Sequence, residues 1–420
     1  MNDRTHSDVL VIGGGVIGLA CAHYLSRAGR SVRVIEQGKV GSGASPGNCG
    51  LVFVSDLVPL CVPGAVRKEL FSLLRRNSPL YIKPSFDLDR MLWLLRFARR
   101  CRDEHVRHAI RARESILTSS KLLFAELVNA GSIDAEYEQR GVLLVYRSEA
   151  AMQDYEWVNA QLKPYGLAAE AMVGRALLNF EPALREDVFG AWHHRADSHL
   201  RPDRLLQSWR QALLRAGVAI EEDCGLSRFR SSGSRIQAAV TGRGEFSATT
   251  YVLAAGAWSA LVAGQLGLKL PIQPGKGYSI TMGRPVVCPA TPCYLYERRV
   301  VATPWPSGYR LGGTMEFGGF DLSLNAERIN ALKTAAGEYL KDPIGHPLVE
   351  EWAGLRPMTF DDLPVIGRAP KLGNLVVATG HGMLGVTTAP ATGQLVAEMV
   401  CGVPPHIDPR PFDPGRFESN

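Results

Sequence analysis

Residues 8–36 read DVLVIGGGVIGLACAHYLSRAGRSVRVIE, and few folds accommodate such a run. Val9–Ile12 is a short apolar block, as a strand buried on both faces requires. Gly13, Gly15 and Gly18 follow in G-x-G-x-x-G spacing, and a helical pattern then passes through Leu19, Ala22, Leu25 and Ala28. A second apolar strand, Val32–Ile35, ends on Glu36. Gly13 suits a tight turn, Gly15 lets backbone approach a pyrophosphate, and Gly18 lets helix and strand pack closely. The helix N-terminus would face the phosphates, and Glu36, 18 residues after Gly18, can accept hydrogen bonds from a ribose diol. Strand, helix, strand and acid together predict a dinucleotide-binding βαβ unit, and the acid argues against the 2′-phosphate of NADP.

Three later stretches separate FAD from NAD. GSGASPGNCG (41–50) is a second Gly/Ser-rich turn, and YVLAAGAWSALV (251–262) reads as strand, small-residue turn and helix start. NLVVATGHGMLGVTTAPATGQLVAEMV (374–400) reads as a strand, a glycine loop and a helix from about Pro390. The chain thus returns to a nucleotide-type layer at its beginning, middle and end. A long cofactor such as FAD needs loops from several places, and the small residues Ala254, Ala255, Gly256, Gly380 and Gly382 allow close backbone approach. They would serve equally as tight strand–helix connections.

The 420 residues suffice for two domains, and 46% hydrophobic with 21% charged residues is a globular balance. No apolar run approaches the roughly 20 residues of a spanning helix. The first strand pattern starts at Asp8, leaving no room for a signal peptide, so a cytoplasmic protein is expected. The eight cysteines show no C-x-x-C pair and read as reduced thiols, with no metal expected. His193, His194 and His199 near Asp197 read as structural. The net charge of +6 is uneven: residues 67–113 hold thirteen Lys/Arg against five Asp/Glu, an excess larger than that of the whole chain. With MLWLLRFARRC inside it, the stretch fits either a helix on an anionic membrane surface, at the inner face, or an amphipathic helix with a solvated basic face. No nucleic-acid motif accompanies the charge.

At this point the motifs resemble a known family. GGGVIG with Glu36, LAAGAWS, GLRPMTFDDLPVIG and GHGMLGVTTAPATG together are similar to the D-amino-acid oxidase/glycine oxidase/sarcosine oxidase (DAO) family of FAD enzymes. PGKGYSI, GGTMEFGG, RPMT and GHGMLG look most like its bacterial D-amino-acid dehydrogenases. PGNCGLVFVSDLVPLCVPG and NSPLYIKP resemble the branch with D-hydroxyproline and D-proline dehydrogenases. The likeness spans about residues 8–402. It implies an α/β fold: a glutathione-reductase-type FAD-binding Rossmann domain, discontinuous in sequence, and a substrate domain on a large mixed sheet. The expected FAD-binding parts are 1–62, 191–262 and 346–420. The substrate parts are 63–190 and 263–345, with alternating strand patterns over 279–317 and a helix at Ala326–Leu340 capped by Asn325.

The family also assigns roles. Arg356, in WAGLRPMTFDDLPVIG, matches the arginine that grips the substrate α-carboxylate; Asp361 and Asp362 offer it an internal salt bridge instead. Tyr278 could hydrogen-bond the same carboxylate or simply pack, and His381 is a flavin-loop residue whose flanking glycines suggest backbone positioning rather than a base. Further cofactor contacts are expected at Val16, Ile17, Gln37, Ser42, Ser45, Asn48, Cys49, Gly50, Leu51, Trp258, Gly354, Met383, Leu384 and Gly385. Leu384 stands where sarcosine oxidases carry a carboxylate-holding lysine, and MTFDDLPVIG lacks their flavin-linking cysteine, so non-covalent FAD is expected. The implied reaction is oxidation of a D-amino acid, cyclic ones included, by hydride transfer to flavin N5, with oxygen or a membrane quinone as acceptor. Oxidation of N-methyl or secondary amino acids, or a role as FAD-bearing subunit of a larger dehydrogenase, stays open.

Overall fold

The computed structural model describes residues 6–67, 80–83 and 86–418. The fingerprint folds into strand His6–Ile12, helix Val16–Arg27 and strand Val32–Ile35. A Cβ on Gly18 would lie 1.9 Å from the Gly13 carbonyl oxygen, so a side chain there would push the helix off its strand. His6–Ile12 sits between two parallel neighbours, Val32–Ile35 and Gly244–Leu253. Ala219–Glu221 continues the parallel order beyond Val32–Ile35, and Leu375–Thr379 continues it beyond Gly244–Leu253. Val365–Arg368 and the strands Leu226–Ser232 and Arg235–Thr241 complete eight strands by antiparallel pairing. Covered on both faces, Val9, Leu10 and Val11 are fully buried, which is why the strand is apolar without alternation.

The final helix, Gly385–Cys401, shares a core with Val16–Arg27 and with the long helix Asp103–Asn129. It begins five residues before Pro390. The proline, one and a half turns in, removes only the backbone bond to Val386, so it does not set the start.

The second sheet has nine strands, running Leu348–Thr359, Ile272–Met282, Gly308–Phe317, Val300–Trp305, Cys293–Leu295, Val142–Tyr146, Gly190–His194 and Glu170–Val173, with Leu80–Ile82 added to Gly308–Phe317. Leu348–Thr359, and Gly190–His194 from Ala191 onward, fall within segments expected to bind FAD but belong to this sheet. The first pairs along the whole length of Ile272–Met282, from Ile272↔Thr359 to Met282↔Leu348. One face of the sheet carries helix Ala326–Gly337, whose first N–H groups, of Glu327 and Arg328, donate to the Asn325 side chain. Among the described residues no helix is long and apolar enough to cross a membrane.

Because Gly18 is so tightly enclosed, Gly18→Ala should destabilise the protein by about 2 kcal/mol and reduce bound FAD. Thermal melting with flavin absorbance of the purified variant checks both.

Candidate active site

A cavity of about 1390 Å³ runs from the fingerprint to the cavity-facing side of the nine-stranded sheet. At the nucleotide end, helix Val16–Arg27 has no side-chain bond from its N-cap, Gly15, and Ser45 Oγ lies over it, accepting from the Val16 N–H at 3.0 Å. Glu36 accepts from the N–H groups of Gly14 at 2.6 Å and Gly38 at 3.0 Å, which fixes its carboxylate at the cavity wall. An open helix N-terminus followed by an anchored acid suits the pyrophosphate and ribose of a dinucleotide.

Gly13, Gly15, Val16, Ile17, Gln37, Ser42, Asn48, Cys49, Leu51, Ala254, Ala255, Gly256, Trp258, Gly354, Gly382, Met383, Leu384 and Gly385 all line the cavity as well. Gly18, Gly50 and Gly380 do not. Gly18 packs helix on turn, while Gly50 and Gly380 turn the chain at φ 76° and 74°. The lining is continuous from Glu36 to the second sheet, as one elongated flavin nucleotide requires. Cys49, the lining residue nearest in character to a flavin-linking cysteine, is neutral, since burial pushes its thiol up.

At the other end lies Arg356. Its guanidinium crosses the neighbouring strand over Gly277, where a Cβ would sit 2.2 Å from Nη1. Nη1 donates to the Thr314 carbonyl at 2.9 Å. Thr314 has φ 65°, a conformation β-branched residues avoid, and lies in a bulge opposite Lys276–Tyr278. Nε and Nη2 have no partner among the described residues. The internal salt bridge does not form: Asp361 pairs with Arg416 at 2.8 Å, and Asp362 with the buried Arg113. Arg356 is therefore a positive charge at the cavity wall with two donors open and, among the described residues, no carboxylate to answer it.

The other two expected catalytic groups are arranged differently. Tyr278 contributes to the cavity lining, but it is 2% exposed and packs in the cluster with Ile280 and Leu332. Its hydroxyl donates to Glu316 at 3.0 Å, and Glu316 is held by Arg328 at 2.6 Å. Of the two expectations for Tyr278, packing is what the structure displays, with its hydroxyl engaged by Glu316. His381 is buried, with Nε2 at 3.0 Å from Thr392 Oγ1, and burial depresses its pKa to about 3. It is neutral at physiological pH and a poor proton acceptor. In its loop, the Gly382 N–H donates to the Pro357 carbonyl and the Leu384 N–H to the His381 carbonyl, tying the loop to the strand that carries Arg356.

The basic stretch divides. Arg90 and Arg113 are buried, Arg113 bonding the Asp56, Val58 and Asp362 carbonyls, whereas Arg99, Arg102, Arg107 and Arg111 are exposed. Residues 68–79 and 84–85 of it lie outside the described residues. His194 meets the Tyr155 hydroxyl, and Asp197 accepts from Ser55, so both are internal structural groups. Sequence reasoning missed Arg310 and Thr314 altogether. Each acts through a contact distant in sequence, and nothing in GYRLGGTMEF announces it.

Comparison with known proteins agrees with this geometry. Residues 8–399 match the DAO family, described as FAD dependent oxidoreductase. The chain belongs to that family. It is 32% identical over 410 residues to a D-amino acid dehydrogenase of Neisseria meningitidis, covering 94% of this chain and 96% of that protein. A D-amino acid dehydrogenase of Bradyrhizobium diazoefficiens is 32% identical over 414 residues, covering 95% and 96%. Among solved structures, glycine oxidase from Geobacillus kaustophilus superposes with TM-score 0.77 at 24% identity, covering 99% of this chain and 100% of that one. L-proline dehydrogenase from P. horikoshii gives 0.72 at 21%, covering 99% and 98%. These likenesses show a shared fold. As a member of the family the chain uses FAD, and Glu36, Ser45 and the open helix end are the residues that would hold its nucleotide half.

With His381 unprotonated from pH 5 upward, His381→Gln should leave the pH dependence of kcat/KM unchanged between pH 5 and 9. Loss of a limb near pH 6–7 in that variant would make the histidine a base after all.

Proposed function

We propose that this protein is an FAD-dependent dehydrogenase of D-amino acids that binds its substrate's carboxylate on Arg356. The observation that carries the reading is the guanidinium itself, anchored through Nη1 and open through Nε and Nη2, with both nearby aspartates paired elsewhere. A planar carboxylate is the anion that fits two parallel N–H donors. The relatives named D-amino acid dehydrogenase support the substrate class.

FAD, when bound, accepts the hydride from the substrate's α-carbon. The chain's own contribution is orientation and exclusion of water. Arg356 fixes the carboxylate, Thr314 fixes Arg356, and the apolar wall of Leu355, Met315, Met358 and Phe317 excludes solvent around it. Tyr278 is engaged by Glu316 and His381 is a poor base, whereas Asp56, which also lines the cavity beside Arg113, has its pKa raised to about 6 by burial and is the carboxylate best placed in pKa to take a proton from the incoming amine. Met383 and Leu384, the latter standing where the family resemblance implies a lysine in sarcosine oxidases, leave the wall apolar. This favours substrates with a side chain, including cyclic ones such as D-proline and its hydroxy forms, over glycine and sarcosine.

Anaerobic flavin bleaching against D- and L-amino acids, D-proline, its 4-hydroxy forms and sarcosine tests the reading. Bleaching of the isolated protein by D-amino acids ahead of sarcosine is expected, and would also rule out a dependent subunit. Arg356→Ala should raise KM at least about 100-fold with FAD retained. An unchanged KM would refute the clamp.

The acceptor reading concerns helix Leu88–Arg100. Its inner face places Trp93, Leu94 and Phe97 in the cavity wall. Its outer face exposes Leu88, Met91, Leu92 and Leu95 by between 48% and 76%, beside exposed Arg99 and Arg102. Exposed apolar side chains with arginines at the helix's C-terminal end suit an anionic lipid surface and a quinone within it. The protein should sediment with vesicles containing anionic lipid, and Leu92→Glu with Leu95→Glu should abolish sedimentation without changing dye-coupled turnover. Equal sedimentation of the variant would leave oxygen as the better acceptor.

A further inference from the structure

Arg310 has no part in the fingerprint or the carboxylate grip, yet it is one of the most deeply buried charges in the molecule, 1% exposed. It lies on strand Gly308–Phe317 two residues before Gly312, hence on the same face of the sheet, and that face meets the cofactor-lining loop: a Cβ on Gly312 would come within 2.5 Å of Cys49 Sγ. From there Arg310 Nη1 donates to the carbonyls of Pro46 at 2.5 Å and Asn48 at 2.7 Å, Nε donates to Thr281 Oγ1 at 3.0 Å, and the guanidinium lies 5.0 Å from the Trp305 ring centre. Each of these direct partners is neutral; Asp203 and Glu350 act on the guanidinium only from beyond ion-pair distance, and Arg201 opposes them. Among the described residues no carboxylate pairs with it, and the thiol of Cys49 feels its charge together with that of Arg356.

A buried cation with only neutral partners is costly unless an anion completes it. Arg356 is completed by substrate. Arg310 is sealed behind the loop and does not line the cavity, so no diffusing anion reaches it. What remains is charge that develops across the loop, and the loop faces the cofactor cavity. Reduction of FAD by two electrons with uptake of one proton leaves one negative charge on the ring system. We infer that Arg310 is a positioning residue with an electrostatic role: it fixes the loop Pro46–Cys49 against the cofactor and its uncompensated charge favours the reduced, anionic form. Fixed charge in a low-dielectric setting acts at a distance without reorganising. The inference rests on the family's use of FAD and not on the identity of the amino acid, so the two stand or fall separately.

The charge and the hydrogen bonds can be separated by two variants. Arg310→Gln keeps a neutral donor for the carbonyls and removes the charge. Arg310→Lys keeps the charge and gives up the fork. The readout is the midpoint potential of the bound flavin, from titration with dithionite and an indicator dye, which needs no substrate. For a variant that holds FAD weakly, the ratio of dissociation constants for oxidised and reduced FAD reports the same quantity. The Gln variant should disfavour reduction at least tenfold, about 30 mV for a two-electron couple, while Lys stays within threefold of the unaltered protein. A Gln potential within threefold of the unaltered protein overturns the inference. So does a Lys potential that falls as far as Gln's, because the fork and not the charge would then be what matters.

Discussion

A guanidinium at a cavity wall, with its carboxylate neighbours already engaged, must be answered from outside the protein. The sheet is arranged around that requirement. Gly277 clears the path of the side chain, the bulge at Thr314 presents a carbonyl to one nitrogen, and long-range pairs remove Asp361 and Asp362 from contention. Leaving a charge open in this way costs stability, and the surrounding core of the nine-stranded sheet has to supply it. On the proposed reading, substrate recognition is a deficit in the folded protein that binding relieves.

The nucleotide half was the legible part. Glycines at fixed offsets, a strand apolar without alternation and an acid at the end of the next strand are local signals, and each reports a steric or solvation demand met within thirty residues. Arg356 was legible too, because an arginine between apolar residues has few solutions. Its partner was not. Whether Asp361 or Asp362 would neutralise it depended on Arg113 and Arg416, which lie far off in sequence and reach the aspartates only through the fold.

Tyr278 illustrates another limit. Its strand was recognisable, but which face each residue takes follows from pairing with Leu348–Thr359, and a shift of one residue exchanges the faces. The start of the last helix was misplaced for a related reason: Pro390 is a strong local signal, and tertiary packing against Val16–Arg27 outweighs the single bond it removes. Arg310 left no local trace, since its acceptors are backbone carbonyls more than two hundred and sixty residues away.

The interleaving of the nucleotide layer bears on how the protein is made. Its parallel strands come from residues 6–12, 32–35, 219–221, 244–253 and 375–379, and the helix sealing them ends at Cys401. Made in chain order, the layer has no enclosed place for a flavin until strand Leu375–Thr379 and the helix ending at Cys401 have been added. Long-range closure of that kind is slow and leaves apolar strand edges exposed meanwhile, so ambient FAD acts on the yield of folded protein as well as on its colour.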